Sequence, residues 1–353
     1  IAFIVLRLKR RMGGDRFIGV GFLRRLDSYP EFFLSAAICL LAAAPAHALE
    51  TDQFFAWGKP IEDSTDYLDA WVRYQVEYAL EPGRNGTAAG CDAAVDRIQK
   101  RLQHSIYQPI EIWITSTGLV DRVPKSVEEN REYRDSYLLS KTYPLDWARI
   151  VQPSPTVQVA DIRLGADKLS HFFSAGWWYY HWWRKNGSGK NGDELQQQLA
   201  QTGYQLEKWI HGMLVTGVVS PADMDANLQG FLFYYRLCHG DRPYLSRVNN
   251  EWALSPEYTI ADYVSPAWDE SWNANIYGRQ RWKGIRETMS RYCPMLDSPW
   301  VREQRAFYET LDTETVIDQA IANLVKEGEL EDPMLFDITT VCESDSQERQ
   351  AGN

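Results

Sequence analysis

The sequence lacks the local signatures that identify the commonest enzyme classes. It has no glycine loop of the nucleotide-binding type, no nucleophile elbow and no His-Glu-x-x-His zinc motif. It also has no internal repeat, and no two cysteines stand at the close spacing of a zinc knuckle. Any chemistry must therefore come from residues that are distant in the sequence and meet in the fold.

Basic residues are also fewer than acidic residues. The 353 residues include 37 Lys and Arg against 48 Asp and Glu, which gives a formal net charge of −11. A negative surface favours solubility and disfavours nonspecific binding to the phosphate backbone, so we expect no nucleic-acid partner. With 44% hydrophobic residues, the chain is long enough for a substantial core or for two domains.

The N-terminal 48 residues have the pattern of a secretory signal peptide with an upstream extension. Arg24 and Arg25 precede an apolar segment, 32–44, and Ala46-His47-Ala48 follows as a small-x-small cleavage pattern. An uncleaved membrane anchor is the alternative. Cleavage after Ala48 predicts a periplasmic or secreted mature protein, with 30 basic and 45 acidic residues, a net charge of −15 and no apolar run long enough to span a membrane.

The mature chain has few cysteines. Removal of the signal segment, which contains Cys39, leaves Cys91, Cys238, Cys293 and Cys342. Four cysteines in an exported chain predict two disulfides, for which three pairings exist. Free buried thiols are the alternative.

Hydrophobic periodicity predicts a mainly α protein with irregular, aromatic-rich connections. A helix is expected from Ser64 to Leu80, whereas the alternation of Ile110, Ile112 and Ile114 predicts a short strand. We divide the mature chain into an N-terminal helical segment 49–150, a helical core with a C-terminal wrap 157–340, and a flexible tail 341–353. The core contains an antiparallel three-helix unit, 164–236.

Each helix of this unit carries two polar side chains four residues apart. The pairs are Asp167/His171, Glu207/His211 and Asp223/Asn227. Residues at i and i+4 share one helix face. We expect the second helix to begin at Asp193 and the third to begin with Ser220 as its N-cap and Pro221 at the first helical position. Counted from the two turns that join the helices, the pairs lie at matching depths, roughly 22 and 24 Å from the first turn and about 10 and 8 Å from the second. Because short connections favour antiparallel neighbours, we predict one shared site.

Three chemistries fit these residues. A divalent transition metal can be held by carboxylates and imidazoles, with Asp167, His171, Glu207, His211 and Asp223 as ligands. Alternatively, His171 or His211 transfers a proton with Glu207 or Asp223 as its partner, and hydrolysis is the reaction class we expect. The N-terminal ends of the first and third helices also favour an anion such as phosphate. Lys168, Ser220 and Asn227 would bind the ligand or support the other groups.

A noncatalytic interpretation explains the same residues. Ser220 and Asp223 have the spacing of a helix capping box, and Lys168 can pair with a neighbouring carboxylate. Buried Asp–His and Glu–His contacts would then hold three helices in register in a structural or scaffolding protein.

The motif set resembles that of the VanZ-like family and of YfiM-type periplasmic lipoproteins. The matching elements are Asp167-Lys168-x-x-His171, a helix with Glu207, and Ser220-x-x-Asp223-x-x-x-Asn227-x-x-Gly230, in that order. They cover about residues 164–235. The resemblance implies a cell-envelope role without an assigned activity. The chain departs from both groups. VanZ-like proteins are integral membrane proteins, whereas the mature part of this chain has no membrane-spanning run, and it also lacks the lipobox of the YfiM-type lipoproteins.

Seven consecutive residues, 177–183, include four tryptophans and two tyrosines. A helix spreads these rings around its axis, which predicts a central helix packed on several sides. The alternatives are association with a membrane surface and a groove for an envelope lipid or a cell-wall glycan.

Overall fold

The computed structural model describes residues 51–104, 108–136, 153–186, 192–208, 217–311 and 314–351. The predicted signal peptide lies outside these residues. The helices are α1 Thr65–Leu80, α2 Pro82–Asn85, α3 Cys91–Leu102, α4 Pro109–Ser116, α5 Val127–Ser136, α6 Ala166–Asn186, α7 Asp193–Leu206, α8 Pro221–Cys238, α9 Arg279–Met289, α10 Cys293–Leu296, α11 Pro299–Glu309, α12 Val316–Lys326 and α13 Ile338–Ala351.

The strands of the described residues are short and form three antiparallel pairs. They are β1 Thr156–Val159, β2 Ile162–Gly165, β3 Val218–Val219, β4 Leu245–Val248, β5 Glu251–Leu254 and β6 Ile276–Tyr277. β1 pairs with β2, β3 with β6, and β4 with β5. The prediction of a mainly α fold with irregular aromatic-rich connections is confirmed.

Helices α6 and α8 form the centre of the fold and approach each other closely through two glycines. A Cβ atom at Gly176 would lie 2.5 Å from the Cα atom of Gly230, and one at Gly230 would overlap with the carbonyl oxygen of Phe172. Backbones can come this close only where no side chain separates them. The glycine pair therefore fixes the distance at which α6 and α8 present their polar residues.

The starts of the second and third helices of the unit agree with the sequence prediction. α7 begins at Asp193 and continues through Glu207 and Lys208 as a wider π turn. α8 begins with Ser220 as its N-cap, whose hydroxyl accepts a hydrogen bond from the Asp223 N–H at 3.1 Å, and Pro221 occupies the first helical position.

Two disulfides connect distant parts of the chain. Cys91 at the start of α3 is bonded to Cys238 at the end of α8, and Cys293 in α10 is bonded to Cys342 in α13. The prediction of two disulfides is confirmed, and the structure selects one of the three pairings. The first disulfide joins the N-terminal helices to the three-helix unit, where Trp71 of α1 also packs against Phe173 of α6.

The predicted strand at Ile110–Ile114 is wrong, because this segment forms helix α4. Pro109 occupies its first turn, and Ile110 and Ile114, one helical turn apart, are both buried while Ile112 is 51% exposed. Alternation at every second residue also satisfies a spacing of four, so the pattern did not exclude a helix. Residues 338–351, which include most of the predicted flexible tail, form α13.

The aromatic run lies within α6 and is largely buried. Trp177, Tyr179, Tyr180 and Trp183 face the interior, whereas Trp178 is 38% exposed. This distribution matches the prediction of a helix packed on several sides. Within the described residues, no helix has both the length and the apolar character needed to cross a membrane.

We expect Gly230→Ala to lower the free energy of unfolding by about 3 kcal/mol or more, because the added methyl group overlaps with α6 backbone atoms. Urea denaturation measures this change. Gly118→Ala is the matched control, since a Cβ there meets nothing within 4 Å, and its effect should stay within about 0.5 kcal/mol. Equal effects of the two substitutions would contradict the close helix contact.

Candidate functional site: a buried lysine shared by three carboxylates

The ammonium group of Lys168 is the centre of the polar site. It lies 2.7 Å from Asp167 Oδ2, 2.6 Å from Asp223 Oδ1 and 2.7 Å from Glu270 Oε1. The Lys168 side chain is 0% exposed. An ammonium group has three N–H donors, so the three carboxylates match its full hydrogen-bonding capacity. Lys168 is therefore not a solvated surface residue.

Local structure explains why these groups meet. Asp167 and Lys168 are in the first turn of α6, directly after β2, and Asp223 is in the first turn of α8. Glu270 follows the 3₁₀ turn Pro266–Trp268. The hydroxyl of Ser220 donates to Glu270 Oε1 at 2.9 Å while it caps α8, so one side chain connects the helix start to the loop.

The first described residues of the chain complete this arrangement. The hydroxyl of Thr51 donates to Asp167 Oδ1. The side-chain oxygen of Gln53 accepts the backbone N–H of Glu270 at 2.7 Å, and its amide donates to the carbonyl of Arg163 at 3.1 Å. Residues 51–53 thus fix both Asp167 and Glu270, although more than 110 residues separate them from Asp167 in the sequence.

His171 connects the buried charges to the solvent. Its Nδ1 lies 3.1 Å from Asn227 Oδ1, and its Nε2 lies 3.5 Å from Asp223 Oδ2. The side chain is 26% exposed, whereas Asp167, Asp223 and Asn227 are buried. His171 can therefore exchange protons with solvent or with a ligand while a buried carboxylate faces its ring.

Glu207 lies at the end of α7 and is buried. Burial raises its pKa well above the usual range, and the negative charge of Asp223 raises it further, while Lys168 opposes this shift. Tyr179 of α6 is also close: burial raises its pKa, and the Glu207 carboxyl adds to that effect. Glu207 is therefore a carboxyl that keeps its proton to higher pH than an exposed glutamate does.

Glu111, on α4, is a further buried carboxyl beside the site. It accepts a hydrogen bond from the Ser154 hydroxyl at 3.2 Å. Burial, with the charge of Asp167, raises its pKa to about 8, and Ser154, Ser170 and Lys168 act in the opposite direction. Because a strand was predicted for this segment, the position of Glu111 beside the site was not expected.

The pKa values of the carboxyl groups shift in different directions because the groups share one ammonium unequally. Burial acts to raise the pKa of Asp167, but the adjacent Lys168 charge and hydrogen bonds outweigh it, so the pKa is lowered. For Glu270 burial prevails over Lys168, and its pKa is raised. The site thus combines a carboxyl whose pKa is lowered with carboxyls whose pKa is raised.

Most of the side chains predicted for the site come together. We call the following group the Lys168 cluster: Asp167, Lys168, His171, Glu207, Asp223, Asn227 and Glu270. Ser220 supports it as described above. His211, predicted as a catalytic residue and as a metal ligand, lies outside the described residues.

Sequence reasoning did not assign Glu270, Thr51, Gln53 and Glu111 to this site. Glu270 lies in the acidic, tryptophan-rich segment Trp268-Asp-Glu-Ser-Trp272, and the composition of this segment is typical of a loop. No local pattern relates these four residues to α6, because their contacts depend on long-range packing.

The described residues contain no group of three His, Cys, Asp or Glu side chains arranged to hold a metal ion. At Asp167, Asp223 and Glu270, the Lys168 ammonium occupies the position where a divalent cation would bind the three carboxylates. The interior is also acidic, which disfavours phosphate there.

Comparison of the chain with protein-family models, with curated proteins and with solved structures finds no match. The contacts and charges of the Lys168 cluster are therefore the basis for a functional assignment.

We expect the stability of the protein to fall as pH rises from about 4.5 to about 8, with part of the fall due to Glu111. Its pKa is raised in the folded state, so its contribution is complete below the unfolded value of 4.5 and is lost as pH rises through about 8. Glu111→Gln should remove about 3–5 kcal/mol of this pH-dependent change.

Urea denaturation at intervals from pH 4.5 to pH 9 measures the difference between the wild type and Glu111→Gln. Glu77→Gln, at an exposed position of α1, controls for the loss of one acidic group. Parallel pH curves for wild type and Glu111→Gln would show that Glu111 does not retain its proton in the fold.

Lys168→Met should lower the free energy of unfolding by about 3–5 kcal/mol, because it leaves three buried carboxylates without their cation. Lys125→Met is the control: Lys125 also pairs with a carboxylate, Asp121 at 2.7 Å, but its side chain is 48% exposed. We expect the control to change stability by less than about 1 kcal/mol. If thermal and urea denaturation give the same result for both variants, the carboxylates do not depend on Lys168.

Proposed function

We propose that this is an exported cell-envelope protein in which His171 transfers a proton during hydrolysis of an envelope lipid or cell-wall component. The two disulfides indicate an oxidising, extracytoplasmic environment. The sequence pattern of residues 24–48 supports export through a signal peptide. The motif order that resembles the VanZ-like family supports a role at the envelope.

The observation that carries the proposal is the environment of His171. If Nδ1–H donates to Asn227, the tautomer is fixed and Nε2 is free to accept a proton. Asp223 then faces the nitrogen that becomes charged, and its carboxylate stabilises the imidazolium. The Nε2–Asp223 separation of 3.5 Å leaves room for this contact to shorten when the charge forms.

Glu207 supplies the complementary group for hydrolysis. A carboxyl whose pKa is raised well above its usual range keeps its proton to higher pH and can act as a general acid. In the proposed step, water loses a proton to His171 Nε2 while its oxygen forms a bond to the electrophilic atom of the substrate, and the bond from that atom to the leaving group breaks. The leaving group takes the proton of Glu207, and the proton on His171 then restores Glu207 directly or through solvent. The acidic surroundings favour a neutral or cationic substrate portion at this point.

A second candidate is a noncatalytic role in which the Lys168 cluster only fixes packing. The complete burial of Lys168 favours it, because the ammonium joins α6, α8 and the Glu270 loop without contact with solvent. Both candidates predict loss of stability when Lys168 is changed. The two candidates differ in the role of His171, whose partly exposed side chain is less constrained by packing than Lys168.

We expect His171→Gln to reduce turnover by about 100-fold or more while the melting temperature changes little, because general acid–base groups contribute about 10²–10⁴-fold. Wild type and variant are incubated with envelope lipid extract and with cell-wall fragments, and the products are followed by mass spectrometry. His104→Gln, a substitution at a histidine outside the Lys168 cluster, is the control and should retain full turnover.

Two outcomes would decide against hydrolysis. If wild-type protein releases no product from either fraction, the packing role is favoured. The same holds if a folded His171→Gln variant converts substrate as fast as the wild type.

A further inference from the structure

A small cavity lies beside the Lys168 cluster, on the side of Glu270. Its volume is about 10 Å³, and its lining includes Thr51, Asp52, Glu270, Asn275 and Tyr277. This is the space that a single water molecule or a small ion requires. His171 is not part of the lining, so the cavity is distinct from the solvent-facing side of the cluster.

Asn275 gives the cavity an unused hydrogen-bond acceptor. The residue is 4% exposed, and its Oδ1 atom has no hydrogen-bond partner within the part of the chain that the structure describes. A buried amide oxygen without a partner costs about 1–3 kcal/mol. Such an atom at the wall of a cavity indicates a bound donor or cation there.

The charges around the cavity favour a cation over a neutral occupant. Asp167, Asp223 and Glu270 share the single ammonium of Lys168, and Asp52 adds a buried carboxyl from the cavity wall. A water molecule could donate to Asn275 but would leave this excess of negative charge in place. A cation next to Glu270 reduces it, and buried charges are stable only when they are compensated.

The size and ligands restrict the class of cation. Calcium takes six to eight oxygen ligands, and magnesium retains several waters of its octahedral shell. A cavity of about 10 Å³ has no room for those waters. A monovalent cation loses its water ligands at a lower free-energy cost than a divalent one, and carboxylate, amide and hydroxyl oxygens are suitable hard ligands for it.

We propose that this cavity binds one small monovalent cation, held by the carboxylate of Glu270 and the side-chain oxygen of Asn275. The ion lies next to the carboxylate that pairs with Lys168, and it therefore adds to the stability of the Lys168 cluster. The proposal does not depend on hydrolysis, and its test measures ion binding rather than turnover.

The test compares thermal unfolding of the full chain in sodium, potassium and tetramethylammonium chloride at equal ionic strength. Tetramethylammonium is too large for the cavity and controls for screening. With one site and an affinity in the millimolar range, 100 mM sodium or potassium should raise the melting temperature by about 2–4 °C over tetramethylammonium, with saturation.

Asn275→Leu should remove this cation-dependent increment, since it replaces the amide oxygen with an apolar group of similar size. Asn273→Leu is the matched control: Asn273 is two residues away, does not line the cavity and donates instead to the Ala267 carbonyl. The increment should persist in that variant. Equal melting temperatures of the wild type in all three salts would overturn the proposal, as would an undiminished increment in Asn275→Leu.

A second measurement needs no variant and applies even if Asn275→Leu fails to fold. A crystal of the wild-type protein is soaked in rubidium or thallium chloride, and anomalous scattering locates the ion. We expect a peak between Glu270 and Asn275. A cavity that contains only the density of a water molecule, without an anomalous peak, would reject the cation.

Discussion

The fold depends on one buried ammonium group. Moving a charge out of water costs several kcal/mol, and this cost is offset only where the geometry and hydrogen bonding of its partners are nearly complete. Lys168 meets this condition with three carboxylates at 2.6–2.7 Å. Because those carboxylates come from α6, α8 and the Glu270 loop, the electrostatic requirement of one side chain fixes the relative positions of three separate parts of the chain. Thr51 and Gln53 then add the N-terminal segment to the same network.

Close backbone packing makes this network possible. The pair Gly176 and Gly230 lets α6 and α8 approach until no side chain separates them, so the first turns of both helices can share Lys168. The Cys91–Cys238 disulfide ties the far end of α8 to α3. The Lys168 contacts thus act at the first turns of α6 and α8, and the disulfide acts at the far end of α8. The aromatic residues of α6 lie between these two levels. The cluster is consequently a property of the whole core rather than of one loop.

The excess of carboxyls over cations gives the cluster its chemical character. One ammonium cannot neutralise every nearby acid, so the pKa of Asp167 is lowered while burial raises the pKa values of Glu207 and Glu111. Groups with separated pKa values in one site are the usual basis of general acid and base roles. His171 contacts Asp223 and also reaches solvent. It is therefore the group through which the excess of acidic groups can act on a ligand. The cavity at Glu270 is a second place where the same negative charge can be compensated.

The sequence alone determined the features that depend on local geometry. The i, i+4 pairs, the Ser220-Pro221 helix start and the helix at Asp193 follow from hydrogen bonding within a few residues, and they located most of the Lys168 cluster. Even at this range, the isoleucine pattern at 110–114 fitted a helix as well as a strand, and burial decided for the helix. Only the tertiary structure decided which cysteines pair, that Lys168 is the centre, and that Glu270, Thr51 and Glu111 surround it. These contacts join residues far apart in the chain, and they depend on how α6 and α8 rotate and pack, which no local spacing encodes.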